Sequence, residues 1–392
     1  MAKKPRSTVP DDPAAQQDVA STTKRNSRSK SMDIHTLLRN SVNLGASDLH
    51  VAAGYSPMIR IDGSLKRMDA PALTGTQARQ MFRSIMTDEQ YDLYERESEI
   101  DYAYEMPKVG RFRCNIYHQM NGESGAFRVI PQKIMTLEDM QAPEGVFNLA
   151  REKSGLILVT GPTGSGKSTT LAAIINLINR EKKDHILTIE DPIEYVHTGI
   201  NCLINQREVG DHSQSFSRAL KSALREDPDV ILVGEMRDLE TIALAVTAAE
   251  TGHLVLATLH TSSAPESVDR VIDVFPPEQQ HQIRAVFSNS LKGVISQKLL
   301  PKKSGKGRSA VMEIMIATSA IRNLIREAKT HQMSTAIQTN QDQGMQTFDQ
   351  ALLGRVNEEV IDVSIALEHA IEKQPFERWK GETRNILQHV NI

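Results

Sequence analysis

The sequence predicts an α/β protein: a parallel-sheet domain preceded by a smaller α+β domain. Three observations carry this. Four short, nearly continuous apolar runs, at 156–160, 185–190, 230–234 and 254–259, are separated by stretches of helical spacing. Runs without alternation suit strands buried on both faces, and the helices between them supply the crossovers that parallel pairing needs. A glycine-rich loop follows the first run and opens into one of those helices. Upstream, strand-like runs and a hairpin signal replace the alternation of strand and helix.

The 392 residues suffice for two domains. Residues 1–31 are rich in Ser, Thr, Pro and Gln and hold seven Lys/Arg against three Asp/Glu. Such a segment buries too little apolar surface to offset its ordering entropy, so a disordered tail is expected. The first domain spans 32–131. Asp33 is placed to cap a helix over 34–42. Asp62 and Gly63 between two short runs signal a hairpin. A helical pattern covers 76–97, and strands are expected at 110–119 and 125–130. Residues 132–153 read as a linker broken at Pro143 and Gly145. The second domain takes 154–392, and from about Pro276 it is expected to be mainly helical.

Composition excludes several classes. Two cysteines cannot build a disulfide framework or a four-cysteine metal site. No run of ~18 apolar residues is present to make a spanning helix, and residues 1–31 lack the apolar core of a secretory signal. The net charge of −3 gives the chain no general attraction to nucleic acid.

The glycine-rich loop is Gly161, Pro162, Thr163, Gly164, Ser165, Gly166, Lys167 and Ser168, which fits G-x-x-x-x-G-K-[ST]. Its glycines let backbone N–H groups close around phosphate oxygens, and the helix beginning after them adds partial positive charge. Lys167 is placed for the β and γ phosphates of ATP. Ser168 is placed to ligate Mg²⁺, with Thr169 beside it in the first helical turn. Hydrolysis also needs acids at neighbouring strand ends. Glu190 ends the second run, and Glu235 follows the third, where Gly234 stands in place of the usual Asp. Glu235 must then serve the metal, the attacking water, or both. His260 ends the fourth run beside Thr258 and Thr261, where a polar group can sense the γ-phosphate.

The loop at 161–168, the segment 188–194 around Glu190, the segment 227–238 around Glu235, and 257–261 around His260 occur in the order of four known motifs. They resemble the Walker A, Asp box, Walker B and His box of the secretion ATPases of type II secretion, type IV pili and type IV secretion. Gly234 before Glu235 is also how that family writes its Walker B. Residues 320–327 and 46–63 look like segments of the type IV pilus retraction ATPases, the PilT type, and the chain lacks the cysteines of the metal insert carried by assembly relatives. The basic loop 302–308 and the tail set it apart.

The resemblance implies a RecA-like ATPase domain after a PAS-like N-terminal domain. It implies a homohexamer that hydrolyses ATP with Mg²⁺ to retract type IV pili in twitching motility. Glu190, Glu235 and His260 would be catalytic, and Ser168 and Glu235 would hold the metal. Each N-terminal domain would pack on a neighbour's ATPase domain and send Arg113 and Arg128 to its nucleotide, with Arg111 a weaker third. The implied partners are an inner-membrane pilus platform protein and a second retraction ATPase, with no specific nucleic acid. The implied place is the cytoplasm, peripherally at the inner membrane. Alternatives are an accessory retraction paralogue or another secretion ATPase, a RecA-like DNA translocase, and a nucleotide-binding scaffold that does not hydrolyse.

Overall fold

The computed structural model describes residues 33–61, 63–130 and 133–378. The expected tail, Asp62 of the hairpin turn, the first boundary at Pro131 and the last residues of the second domain lie outside them.

The first unit is a six-stranded antiparallel sheet. Its strands are β1 (Asp48–Ala52), β2 (Met58–Ile61), β3 (Ser64–Arg67), β4 (Glu99–Met106), β5 (Gly110–Gln119) and β6 (Gly122–Ile130), in the order β3-β2-β1-β6-β5-β4. The expected hairpin is β2–β3, with Ile61 opposite Ser64 and Gly63 in the left-handed region at φ +80°. Asp33 caps the helix Ile34–Asn43, accepting a hydrogen bond from the Thr36 N–H. The helix expected over 76–97 is two helices, Gly75–Arg83 and Asp88–Glu97. Thr87 and Gln90 form a capping box that starts a second helix and overrides the continuous apolar pattern.

The second unit holds a seven-stranded sheet. It contains β7 (Gly155–Thr160), β8 (His185–Glu190), β9 (Leu203–Glu208), β10 (Val230–Val233), β11 (Leu254–Leu259), β12 (Leu291–Pro301) and β13 (Arg308–Ile316). Their order is β13-β12-β7-β11-β10-β8-β9, parallel throughout except for the β12–β13 hairpin. The four apolar runs are β7, β8, β10 and β11, the centre of the sheet. Every residue of β7 and β11 is buried, which is why these strands show no alternation.

Three strands of this sheet were not foreseen, and neither were β1 and β4 of the first. β9 is an edge strand whose exposed Leu203 and polar Asn205 and Gln206 break any apolar run. The last third is mainly helical as expected among the described residues, but the hairpin β12–β13 interrupts it. Its runs are interrupted by Ser296, Gln297 and Glu313, polar yet buried, so neither strand reads as continuous. The basic loop 302–308 connects these two strands. Within the expected linker, Glu144–Ala150 is helical, and Val146 and Leu149 share a core with Ile157 and Ile314.

Candidate active site

The C-terminal ends of β7, β8, β10 and β11 open into one cleft of about 590 Å³. Ligands bind at this end of open α/β sheets because the loops there leave the strands in different directions. β7 leads into the glycine-rich loop. Gly161, Gly164 and Gly166 have φ of +144°, +77° and +90°, where a side chain is strained. A Cβ on Gly161 would lie 2.3 Å from the Gln297 carbonyl oxygen and 2.6 Å from Ser165 Oγ. Gly161 is therefore needed for space as well as for φ, whereas Gly164 has open space around it and is needed for φ alone. The helix Lys167–Glu181 follows and aims its first turn at the cleft.

Thr163, Gly164, Gly166, Lys167, Ser168 and Thr169 line the cleft, while Gly161, Pro162 and Ser165 shape the loop behind them. Lys167 Nζ donates to the Gly161 carbonyl at 2.9 Å and the Pro162 carbonyl at 3.2 Å. Burial pulls its pKa below the ordinary lysine value, against the attraction of Glu235 and Glu194. Ser165 Oγ, within this loop, is buried without a hydrogen-bond partner.

Glu190 and Glu235 also line the cleft and occupy different environments. Burial pushes the Glu190 carboxyl above the usual glutamate range, although Thr188 Oγ1 at 2.7 Å and Gln206 Nε2 at 3.3 Å both donate to it. Glu235 is held below that range, chiefly by Arg237, whose Nη2 lies 2.7 Å from Oε2. His260 Nε2 lies 3.1 Å from Glu235 Oε1. Two carboxyls driven in opposite directions are the pattern of an acid–base pair. Gly234 is explained by packing: a Cβ there would lie 3.1 Å from the Ile189 carbonyl oxygen and 3.2 Å from Glu190 Cα. The neighbouring strand leaves little room for the usual Asp.

The sheet of the first unit closes the cleft from the other side. Arg113 on β5 and Arg128 on β6 are cross-strand partners, and both line it. They reach the cleft of their own chain, so no neighbour is required to bring them there. Two like charges directly opposite repel each other and favour an anion between them. Arg128 Nε donates to Asp48 Oδ1 at 2.9 Å. Burial would raise the Asp48 carboxyl, but hydrogen bonds from Ser47 and Arg128 outweigh it and lower it. Arg111 does not line the cleft. It pairs with Glu208 on β9 at 2.7 Å.

Sequence reasoning missed Gln297. It is buried on β12, accepts from Thr170 Oγ1 at 2.8 Å, and donates to the Ser165 carbonyl at 2.8 Å. It braces the phosphate loop from a strand that the sequence did not reveal. Arg237, Tyr195, His197 and Arg308 also line the cleft. Tyr195 Oη lies 2.9 Å from Thr169 Oγ1, and burial lowers the His197 pKa to about 4.

The residues present fit a nucleotide with Mg²⁺. Among the described residues no group of three His, Cys, Asp or Glu could hold a metal alone. Ser168 and Glu235 line the cleft with oxygens that would suit Mg²⁺, a metal that usually keeps water and phosphate oxygens in its shell.

The family model described as type II/IV secretion system protein matches residues 23–364. The chain belongs to this family. Within it, the chain is 54% identical over 339 residues to the type IV pilus retraction ATPase PilT of Pseudomonas aeruginosa, covering 86% of this chain and 98% of that protein. It is 40% identical to the type IV pilus ATPase PilU of the same organism, covering 86% of this chain and 89% of PilU. A crystal structure of the pilus retraction motor PilT with bound ADP matches with a TM-score of 0.83 and 44% identity, over 88% of this chain and 99% of that one. The α/β fold, with an N-terminal domain before the ATPase domain, is that of these family members. No helix among the described residues is long and apolar enough to cross a membrane.

Proposed function

We propose that this protein is an ATP-hydrolysing motor that retracts type IV pili, as the names of its relatives state for them. The observation that carries the reading is convergence. The phosphate loop, Glu190, Glu235, His260 and two N-terminal arginines come from distant parts of the sequence and line one cleft.

Each residue has a part. The backbone N–H groups at 163–169 hold the phosphates, and Lys167 turns from its two carbonyls onto the β and γ oxygens. Ser168 and Glu235 would hold Mg²⁺, which when bound would supply positive charge against the phosphate oxygens. Glu235, kept ionised by Arg237, orients the attacking water. Glu190, in its drier environment, supports that water as a proton acceptor. His260 touches Glu235 and reports the state of the γ-phosphate to the rest of the domain. Arg113 and Arg128 bring guanidinium charge from the first domain, as arginine fingers do in other NTPases.

The chain divides into an N-terminal domain over 32–131 and an ATPase domain over 154–392, with a hinge within 132–153. Six copies form a ring whose domains change angle as hydrolysis proceeds. The ring acts in the cytoplasm on an inner-membrane platform protein, beside a second retraction ATPase. The accessory-paralogue reading is disfavoured by the higher identity to PilT than to PilU. The scaffold reading is disfavoured by the intact Lys167, Glu190 and Glu235.

The test is the ATPase rate of the purified protein with its mass in solution, beside Glu235→Ala. Hydrolysis by a six-subunit species that falls by about 10²–10⁴-fold in the variant supports the motor. A monomer that binds ATP without turning it over sinks it. DNA-stimulated turnover would instead favour the translocase.

A further inference from the structure

One ion pair joins the two sheets behind the cleft. Arg111 Nη2 on β5 donates to Glu208 Oε2 on β9 at 2.7 Å, and both side chains are largely buried, 18% and 6% exposed. Arg111 Nε is buried with no hydrogen-bond partner. This arginine has given up water for one carboxylate, a cost that the fold tolerates where the contact is needed.

Glu208 does more than bind the arginine. The same Oε2 accepts the backbone N–H of Ile193 at 3.0 Å. Ile193 lies three residues beyond Glu190, in the segment that carries Glu190 and Glu194 into the cleft. In the sheet Glu208 is the register partner of Glu190, and the Val209 N–H donates to the Glu190 carbonyl at 2.9 Å. Two residues earlier on β9, Gln206 donates to Glu190 Oε1 and to the Tyr195 carbonyl, and accepts the His197 N–H at 2.8 Å. β9 therefore holds the whole segment after Glu190 from behind. Arg111 is its tie to the other domain.

We propose that Glu208 is a positioning residue which, through Arg111, makes the placement of the Glu190 segment depend on the position of the N-terminal domain. Moving that domain strips Glu208 of its cation. The carboxylate left behind must recruit water, and its single oxygen shared with the Ile193 N–H shifts. Glu190 then leaves its place opposite the phosphates. Arg111 thus acts behind the cleft, while Arg113 and Arg128 act within it. The family resemblance implied Arg113 and Arg128 at the nucleotide, with Arg111 a weaker third. This inference rests on the hydrolytic reading of the cleft.

The test uses the full chain with Arg111→Met and Glu208→Gln, singly and together. It measures amide hydrogen exchange at Ile193, kcat, KM for ATP and thermal stability. Gln retains a carbonyl oxygen for the Ile193 N–H, which guards against simple unfolding. Arg111→Met is expected to speed exchange at Ile193 about tenfold and to lower kcat about tenfold, the scale of one charged hydrogen bond. KM and the exchange of the β10 amides should stay within about twofold, as for a loss confined to orientation. The double variant should be no worse than either single one, because both break one link. Unchanged exchange at Ile193 in Arg111→Met overturns the proposal, whatever the rate. Additive losses, or losses that follow thermal stability alone, overturn it too. A wild-type protein that does not hydrolyse ATP but shows the exchange effect would sink the motor reading and keep the link.

Discussion

The two oxygens of Glu235 are held by different partners: His260 Nε2 lies 3.1 Å from Oε1, and Arg237 Nη2 lies 2.7 Å from Oε2. Arg237 is the larger cause of the lowered Glu235 pKa, with His260 and Lys167 adding to it. A carboxyl with a depressed pKa stays ionised until the pH falls through that lowered value. Arg237→Ala should therefore move the acid limb of the kcat/KM profile to higher pH. A limb that stays in place would mean that Glu235 does not set it.

Glu190 gives the opposite sign. Burial raises its folded-state pKa, so the ionised form destabilises the fold above that pKa, and the penalty is relieved as the pH falls toward the unfolded value. The Oε1 of a glutamine can still accept from Thr188 and Gln206. Glu190→Gln should thus melt higher than wild type at pH 7, with the gap closing toward pH 4, and should lose hydrolysis. Paired melting curves across that range decide the matter. A variant less stable at pH 7 would show that the Glu190 carboxylate is not strained by burial.

Gln297→Ala removes a buried brace that joins Thr170 to the Ser165 carbonyl. Leaving those groups unpaired should cost about 1–3 kcal/mol. Because Ser165 lies in the phosphate loop, ADP affinity should fall with it. Titration calorimetry beside thermal melts would separate the two effects. Intact affinity in a destabilised variant would confine Gln297 to the fold.

Arg113 and Arg128 sit opposite each other on β5 and β6 with the cleft before them. Alanine at both should lower kcat by about 10³-fold or more if they meet transition-state charge as arginine fingers do. ADP, which lacks the γ-phosphate, should bind nearly as before. An equal loss of ADP affinity would make them general anion ligands.

The helix Ser319–Arg326 buries Ile321 and Ile325 completely, while Leu324 is only half-buried against the same core. Leu324→Ala should cost about 1 kcal/mol of stability, since less than a full leucine is uncovered. Twitching should be abolished with ATPase activity largely kept. Parallel loss of both would make this helix structural.

The sequence by itself determined the centre of the second sheet and the identity of the cleft's chemistry. β7, β8, β10 and β11 are buried on both faces, so hydrophobicity must be continuous there, and the phosphate loop needs glycines at fixed positions. Such local demands leave a mark that one chain can show. The tertiary structure alone decided what distant residues do to one another. β12 and β13 hide as strands because buried Gln297 and Glu313 make contacts far along the chain, to Thr170 and to the Ala264 N–H. Arg111, Arg113 and Arg128 look alike in sequence. Only the packing of the N-terminal sheet sends two of them into the cleft and the third to Glu208 behind it. An arginine's role is set by the anion it faces, and that anion comes from another part of the chain or from the ligand.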